Sequence, residues 1–285
     1  MSFRQPLGPE LTSLQSPRVR TGRRLARRAQ RAKERLFLAE GPQAVREAVA
    51  HGGAETVVEV YTTEEAAERH PEIVAAARDA RVTVLTATGE VVAAICETVT
   101  PQGMVALCRF VDVPFAEVLA GRPKLVAVLA NVRDPGNAGT VLRTADAAGA
   151  DAVVLTDASV DPYNPKAVRA SVGSLFHLPV AVGVPVAEAV GRLRAAGARV
   201  LAADGAGERD LDAELDEGTL AGPTAWVFGN EAWGLPEATR ALTDEVVRVP
   251  IHGRAESLNL ATAAAVCLYA SARAQRSTGG CRSAR

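Results

Sequence analysis

Apolar and polar positions fall into blocks along this chain. After Pro123, short apolar runs alternate with longer segments of helical spacing. Lys124–Ala130, Ala152–Leu155, Leu178–Val182, Arg199–Ala203, Thr224–Phe228 and Glu245–Val249 read as strands. Between and after them, residues 137–148, 166–171, 186–196 and 257–274 read as helices. That alternation predicts an α/β fold with a parallel sheet covered on both faces. Residues 36–112 read as a smaller α/β unit. Its strands are Val57–Tyr61, Val82–Leu85 and Met104–Cys108, and its helices start at Pro42 and cover 73–80 and 91–98. Residues 113–123 carry two prolines and a glycine and read as a linker.

The chain has 285 residues, 48% of them apolar, enough for two domains and a sizeable core. A net charge of −1 implies no strong overall field, but the charge is uneven. Arg18, Arg20, Arg23, Arg24, Arg27, Arg28, Arg31, Lys33 and Arg35 stand against Glu34 alone. Residues 18–36 have a helical stripe of Leu25, Ala29, Ala32 and Leu36 among these arginines. A solvated helix usually mixes its signs, so RNA contact through Arg23, Arg24, Arg27, Arg28 and Arg31 is the favoured reading. Cys96, Cys108, Cys267 and Cys281 form no Cys-x-x-Cys pair and read as reduced thiols of a cytosolic protein. The four histidines are scattered, so no metal site is expected, and no run is long and apolar enough for a membrane span.

Polar loops follow some of the apolar runs, where an α/β sheet places its ligands. The first is Asn131-Val-Arg-Asp-Pro-Gly-Asn-Ala-Gly-Thr-Val-Leu-Arg143. Asp134-Pro-Gly-Asn137 is turn chemistry, and the helix behind it buries Val141, Ala145 and Ala148. Arg143 lies opposite that stripe. Two readings of it stand evenly: a surface pair with Asp146, or a guanidinium projecting into a cleft or towards a second subunit.

The second loop is Phe228-Gly-Asn-Glu-Ala-Trp-Gly-Leu235. Here Gly229 permits close backbone approach, and Glu231 is either an orienting carboxylate or a surface one. The third is Pro250-Ile-His-Gly-Arg-Ala-Glu-Ser-Leu-Asn-Leu260. Ser257 suits the N-cap of the last helix, with Asn259 just inside it. His252 and Glu256 have a metal-pair spacing but no third ligand, so a metal is rejected there.

A dinucleotide site is disfavoured. Gly136-x-x-Gly139 lacks the Gly-x-Gly spacing that a pyrophosphate requires, and Gly205-Ala-Gly207 is weaker still.

In order, spacing and flanking strands, the three loops resemble the motifs of the SpoU (TrmH-like) family of SPOUT RNA 2′-O-ribose methyltransferases, over residues 124–275. Residues 36–112 resemble the small RNA substrate-binding domain that many members carry, similar to ribosomal-protein RNA binders. The resemblance implies a parallel sheet with a C-terminal deep trefoil knot, a homodimer and S-adenosylmethionine as methyl donor. It implies a catalytic set of Asn137, Arg143, Glu231, Ser257 and Asn259; our hypothesis is that Arg143 comes from the partner subunit. It places Gly229, Asn230, Val249, Ile251 and Leu258 at the cofactor.

The expected layout is a basic extension (1–35), the RNA-binding domain (36–112), a linker (113–123), the methyltransferase domain (124–275) and a disordered tail (276–285). The favoured substrate is 23S rRNA in the cytoplasm. Transfer RNA is the runner-up, and a non-catalytic RNA binder and a dinucleotide-dependent oxidoreductase are the competing classes.

Overall fold

The apolar runs of the second half become one parallel sheet. The structure is a computed structural model that describes residues 10–96, 100–230 and 232–279. The chain divides into two compact units, Met1–Val111 with Tyr163–His177, and Asp112–Pro162 with Leu178–Arg285.

The smaller unit has a four-stranded sheet of β1 (Leu36–Glu40), β2 (Val57–Thr62), β3 (Thr83–Thr86) and β4 (Met104–Arg109). The strand order is β1-β4-β2-β3, antiparallel around β4 and parallel between β2 and β3. β1 is a strand beyond those expected. Its register against β4 buries Phe37 and Ala39, the alternation of a half-buried strand.

The basic segment is not one helix. Pro17–Arg24 and Arg28–Glu34 are separate helices, joined through Arg27 in an extended conformation. Arg31 explains the break. It is buried, and its Nη1 donates to the carbonyls of Leu25 and Ala26, each at 2.7 Å, just beyond the end of the first helix. The expected stripe is also corrected: Leu25 is buried, Ala29 and Ala32 are exposed, and Leu36 opens β1. Val19 and Leu25 join the core around Ile95, so this segment belongs to the small unit and is no separate extension. Gly22 lets the first helix approach closely, since a Cβ there would come 2.8 Å from Ile95 Cγ2. Arg18 binds Glu59 through Nε and Nη2, and the Tyr61 hydroxyl donates to the same carboxylate at 2.5 Å. Burial raises the Glu59 pKa, but these bonds outweigh it and hold the carboxyl below its ordinary value.

Tyr163–His177, expected within the larger domain, packs on the small unit. Phe110 and Tyr163 stack at 3.7 Å between centroids, Phe37 stacks on Phe176 at 5.9 Å, and Arg169 pairs with Glu40 at 2.7 Å.

The larger unit holds β5 (Leu125–Leu129), β6 (Ala152–Thr156), β7 (Val180–Val184), β8 (Arg199–Ala203), β9 (Arg209–Asp210), β10 (Thr224–Phe228) and β11 (Glu245–Arg248). All pair in parallel, in the order β7-β6-β5-β10-β8-β11-β9. β5, β6 and β10 are buried along their whole length, as strands covered on both faces must be. The expected linker instead contains the helix Phe115–Ala120, whose Phe115 and Val118 enter this core. The last helix runs Leu260–Gly279, past the expected start of a disordered tail; residues 280–285 lie outside the described ones.

Glu214 has a fully buried side chain held by Arg199 and by Arg209 (3.0 Å), with the Thr219 hydroxyl bonded to it as well. Burial raises its pKa, but the bonds from Arg199, Thr219 and Arg209 win and bring it to about 2. Among the described residues no helix is long and apolar enough to cross a membrane.

Candidate active site at the carboxyl edge of the large sheet

β5, β10, β8 and β11 are consecutive neighbours and parallel, so their carboxyl ends share one edge. The three polar loops leave β5, β10 and β11 there, within about 15 Å at ~4.8 Å per strand. A fourth loop, after β8, lies between the last two and supplies Asp204.

Short polar side chains stitch these loops together. Asn230, 6% exposed, donates through Nδ2 to the Asn131 carbonyl at 3.0 Å and accepts through Oδ1 from the Ala232 amide at 2.8 Å. Its side-chain amide is therefore committed to holding the first loop to the second. Asn230 and Gly234 also exchange backbone hydrogen bonds at 2.8 and 2.9 Å, closing a tight turn. Gly234 has φ +66°, and a Cβ on Gly229 would come 2.5 Å from the Gly234 carbonyl. The turn's own packing thus accounts for Gly229, where the sequence suggested approach to a ligand.

Asp204 fixes the far side of that turn. Its Oδ2 accepts from the Leu235 amide at 3.0 Å and its Oδ1 from the Ala206 amide at 2.9 Å. Beneath the first loop, Ser159 donates to the Leu129 carbonyl at 2.7 Å and accepts from the Val132 amide at 3.3 Å. Sequence reasoning missed Asp204 and Ser159. Asp204 directly follows a strand and precedes Gly205 and Gly207, which was the available signal. Gly207 has a packing reason of its own, since a Cβ there would meet the Val246 carbonyl at 2.6 Å.

The third loop joins the first through Asn259, whose Nδ2 donates to Asn137 Oδ1 at 3.1 Å. Asn259 Oδ1 accepts from the Ala261 amide at 2.9 Å and the Thr262 amide at 3.4 Å. Asn259, not Ser257, is therefore the N-cap of the last helix, which begins at Leu260. Ser257 is exposed in the loop before it. The first loop's helix, Pro135–Ala148, is capped by Asp134, whose carboxylate accepts from the Asn137 amide at 2.8 Å. At the other end Arg276 Nη2 donates to the Ala148 carbonyl at 3.2 Å. The two helices thus run side by side in the same direction, tied at both ends. Their amino termini, with partial positive charge, meet at the Asn137–Asn259 pair.

Ala138, Val141, Leu142, Ala145 and Ala148 are buried on the first helix. Arg143 is exposed, and among the described residues it makes no side-chain bond, with Asp146 or any other. Ile251 and Leu258 on the third loop and Trp233 on the second are exposed apolar residues, 38%, 36% and 61% accessible. Val249 is half-buried after β11. Glu231 lies outside the described residues.

In the small unit, Arg23, Arg24, Arg27 and Arg28 are exposed. The buried Arg31 is withdrawn from the RNA-contact set, since its guanidinium already serves two carbonyls. The expectation of scattered histidines is also corrected. His51 and His177 meet at Glu47 in this unit, with ring centroids 4.3 Å apart.

Comparison with known proteins gives the chain its family. Residues 124–269 match the SpoU rRNA Methylase family, and residues 16–106 match the MRM3-like substrate binding domain. The chain belongs to the SpoU rRNA Methylase family. It is 35% identical over 260 residues to the 23S rRNA (guanosine(2553)-2′-O)-methyltransferase RlmP of Bacillus subtilis, covering 91% of this chain and 98% of that one. An AdoMet-bound rRNA methyltransferase from Sinorhizobium meliloti superimposes with a TM-score of 0.79 at 31% identity, over 93% of this chain and 97% of that one. The SpoU methyltransferase AviRb from Streptomyces viridochromogenes, in complex with AdoMet, gives 0.77 at 30% identity, over 93% and 100%.

Proposed function

We propose that this chain methylates the 2′-hydroxyl of one ribose in 23S rRNA, with S-adenosylmethionine as donor, through a site shared by two subunits. As a member of its family it is an RNA 2′-O-methyltransferase. The observation that carries the reading is the Asn137–Asn259 bond, which brings two of the family's polar motif residues together at paired helix termini.

The residues fit the donor. Ile251, Leu258 and Trp233 offer apolar cover on the loops that Asn230 and Asp204 hold in place. The backbone around Gly229 and Val249 completes that cradle. When bound, the donor supplies a methyl group already activated on a sulfonium, so no metal is needed for its departure. The protein's task is to position a weak nucleophile and relieve it of its proton. Arg143 holds the target phosphate or sugar and favours the deprotonated hydroxyl, while Asn137, Ser257, Asn259 and Glu231 order the site.

Two observations support a homodimer. Arg143 has no partner among the described residues of its own chain. Thr262, Val266, Tyr269 and Arg273 form an exposed row on the adjacent last helix, with Val266 40% and Tyr269 50% accessible. A trefoil knot at the carboxyl end belongs to the same reading. The small unit supplies the RNA footprint through Arg20, Arg23, Arg24, Arg27 and Arg28. The reading places the protein in the cytoplasm, where ribosomal RNA is made and modified.

The test is transfer of labelled methyl from S-adenosylmethionine to 23S rRNA, 16S rRNA and bulk tRNA by the purified chain. Label in the ribose of one 23S nucleotide is expected. Transfer to tRNA alone would move the substrate to the runner-up class. No transfer to any RNA, with S-adenosylmethionine bound, would favour a non-catalytic RNA binder.

A further inference from the structure

The small unit contains a cluster that methyl transfer does not use. Glu47 and His51 lie four residues apart on the helix Pro42–Thr56, hence on one face. His177 follows the short turn Ser174–Phe176, in the Tyr163–His177 segment that packs on this unit. Glu47 Oε2 is 3.1 Å from His177 Nε2 and 3.6 Å from His51 Nε2, and the three candidate ligand atoms all lie within 4.8 Å of one another. Ligands at 2.0–2.2 Å around a tetrahedral zinc ion stand about 3.3–3.5 Å apart. The two carboxylate–imidazole spacings lie within about 0.2 Å of that range, and the imidazole–imidazole spacing is at most 4.8 Å, with His51 on the exposed side.

The surroundings orient the carboxylate. Arg46 Nη1 donates to Gln43 Oε1 at 2.7 Å, which turns the Gln43 NH2 towards Glu47. Gln43 Nε2 then donates to Glu47 Oε1 at 2.6 Å, leaving Oε2 for the two imidazoles. An outer partner fixing a ligating carboxylate in this way is a recurring feature of metal sites. Gly173 brings the turn close. It has φ +97°, and a Cβ there would come 2.3 Å from Glu47 Cγ. The side chains of Glu47, His177 and His51 are 18%, 25% and 48% accessible, so an ion can enter and keep a water as fourth ligand.

We propose that Glu47, His51 and His177 form a binding site for a divalent transition ion of the zinc class, one that pins the Tyr163–His177 segment to the Pro42–Thr56 helix. Two imidazoles and one carboxylate suit zinc and its neighbours, and are a poor set for magnesium or calcium, which take oxygen ligands. The described cysteines do not compete: Cys96, Cys108 and Cys267 are buried, and burial pushes their thiols up, Cys267 to about 12.

The test uses the full chain, stripped with a chelator and returned to chelator-free buffer. Calorimetric titration with ZnCl2, with MgCl2 as the control, is expected to show one saturable zinc site per chain. The melting temperature should rise by a few degrees with zinc and be unmoved by magnesium. His51→Gln and His177→Gln should each weaken binding at least ~100-fold and remove the shift, and Gln43→Ala should weaken it ~10-fold. Circular dichroism without metal checks that the variants fold. His51 is the more exposed histidine, so its variant carries the test if His177→Gln does not fold. Absence of saturable binding, or binding unchanged in the histidine variants, would overturn the site.

Discussion

The carboxyl edge of the large sheet and the amino-terminal helices of the small unit are both dense in polar residues, yet they use them in opposite ways. At the sheet edge the side chains are short, and most are bonded to a neighbouring loop: Asn230 to Asn131, Asp204 to Leu235, Asn259 to Asn137. In the amino-terminal helices the side chains are long and mostly face solvent; of the arginines, Arg31 alone is buried, folded back on two carbonyls, and the exposed Arg18 pairs with a carboxylate. The first arrangement ties each loop to its neighbour through side-chain hydrogen bonds. The second offers charge to a polyanion without fixing a contact. On the proposed function, catalysis would draw on the former and a broad RNA footprint on the latter. Arg143 stands apart within the rigid edge: a long, exposed side chain carried on a well-packed helix.

Removing that exception should have the largest effect. Arg143→Ala is expected to lower the transfer rate by ~10²–10⁴-fold, the range for losing a group that assists proton transfer. S-adenosylmethionine affinity, read by calorimetry, should stay within about twofold. Full turnover on the cognate RNA would end the catalytic role.

Glu214 sharpens the rigid side of the comparison. Glu214→Gln takes the shared carboxylate from the partly exposed Arg199 and Arg209, of which Arg209 keeps Glu217, and should cost about 1–3 kcal/mol in urea unfolding. Its folded pKa, about 2, lies below the ordinary carboxylate value. The stabilisation is therefore complete above ~pH 4.3, the unfolded pKa, and is lost as pH falls towards 2. The variant should lose that part of the acid dependence.

Asp204→Ala tests the stitching itself. With the Leu235 amide unpaired, the second loop should loosen and cofactor affinity fall ~10-fold, about 1.4 kcal/mol. An unchanged affinity would mean that the turn holds without Asp204.

The smallest effect is expected from the solvent-facing arginines. Changing Arg20, Arg27 and Arg28 to Gln should flatten the salt dependence of RNA binding by a slope of ~0.7–0.9 for each phosphate no longer neutralised. The substitutions spare Val19, Leu25 and Arg31, which belong to the core, so the fold should survive where deletion of the whole segment would not.

What was legible in the sequence follows the same division. Six strands of the large sheet were visible as apolar runs, continuous where the strand is fully buried, as in Leu125–Leu129 and Thr224–Phe228; the two-residue, polar β9 carries no such signal. The three loops were visible because Gly, Asn and Asp break such runs. Arg143 was placed correctly off the buried stripe by helical spacing alone. Partner choice was not legible. Asn259 displaced Ser257 as cap because both are capping residues and only tertiary structure sets where the helix begins. Arg31 read as one more surface charge, since periodicity does not show a side chain folding back on two carbonyls. The packing of Tyr163–His177 on the small unit, and with it the Glu47–His177 contact, joins residues well over a hundred positions apart, beyond any local pattern.

The most direct measurement is a nucleotide-resolution map of 2′-O-methylation in 23S rRNA. It should be taken from cells with the protein, without it, and with only the Arg143→Ala form. One methylated ribose is expected to vanish in the second and third maps alike. Three identical maps would contradict the account, and a site retained by the Arg143→Ala form would separate the activity from the residue assigned to it.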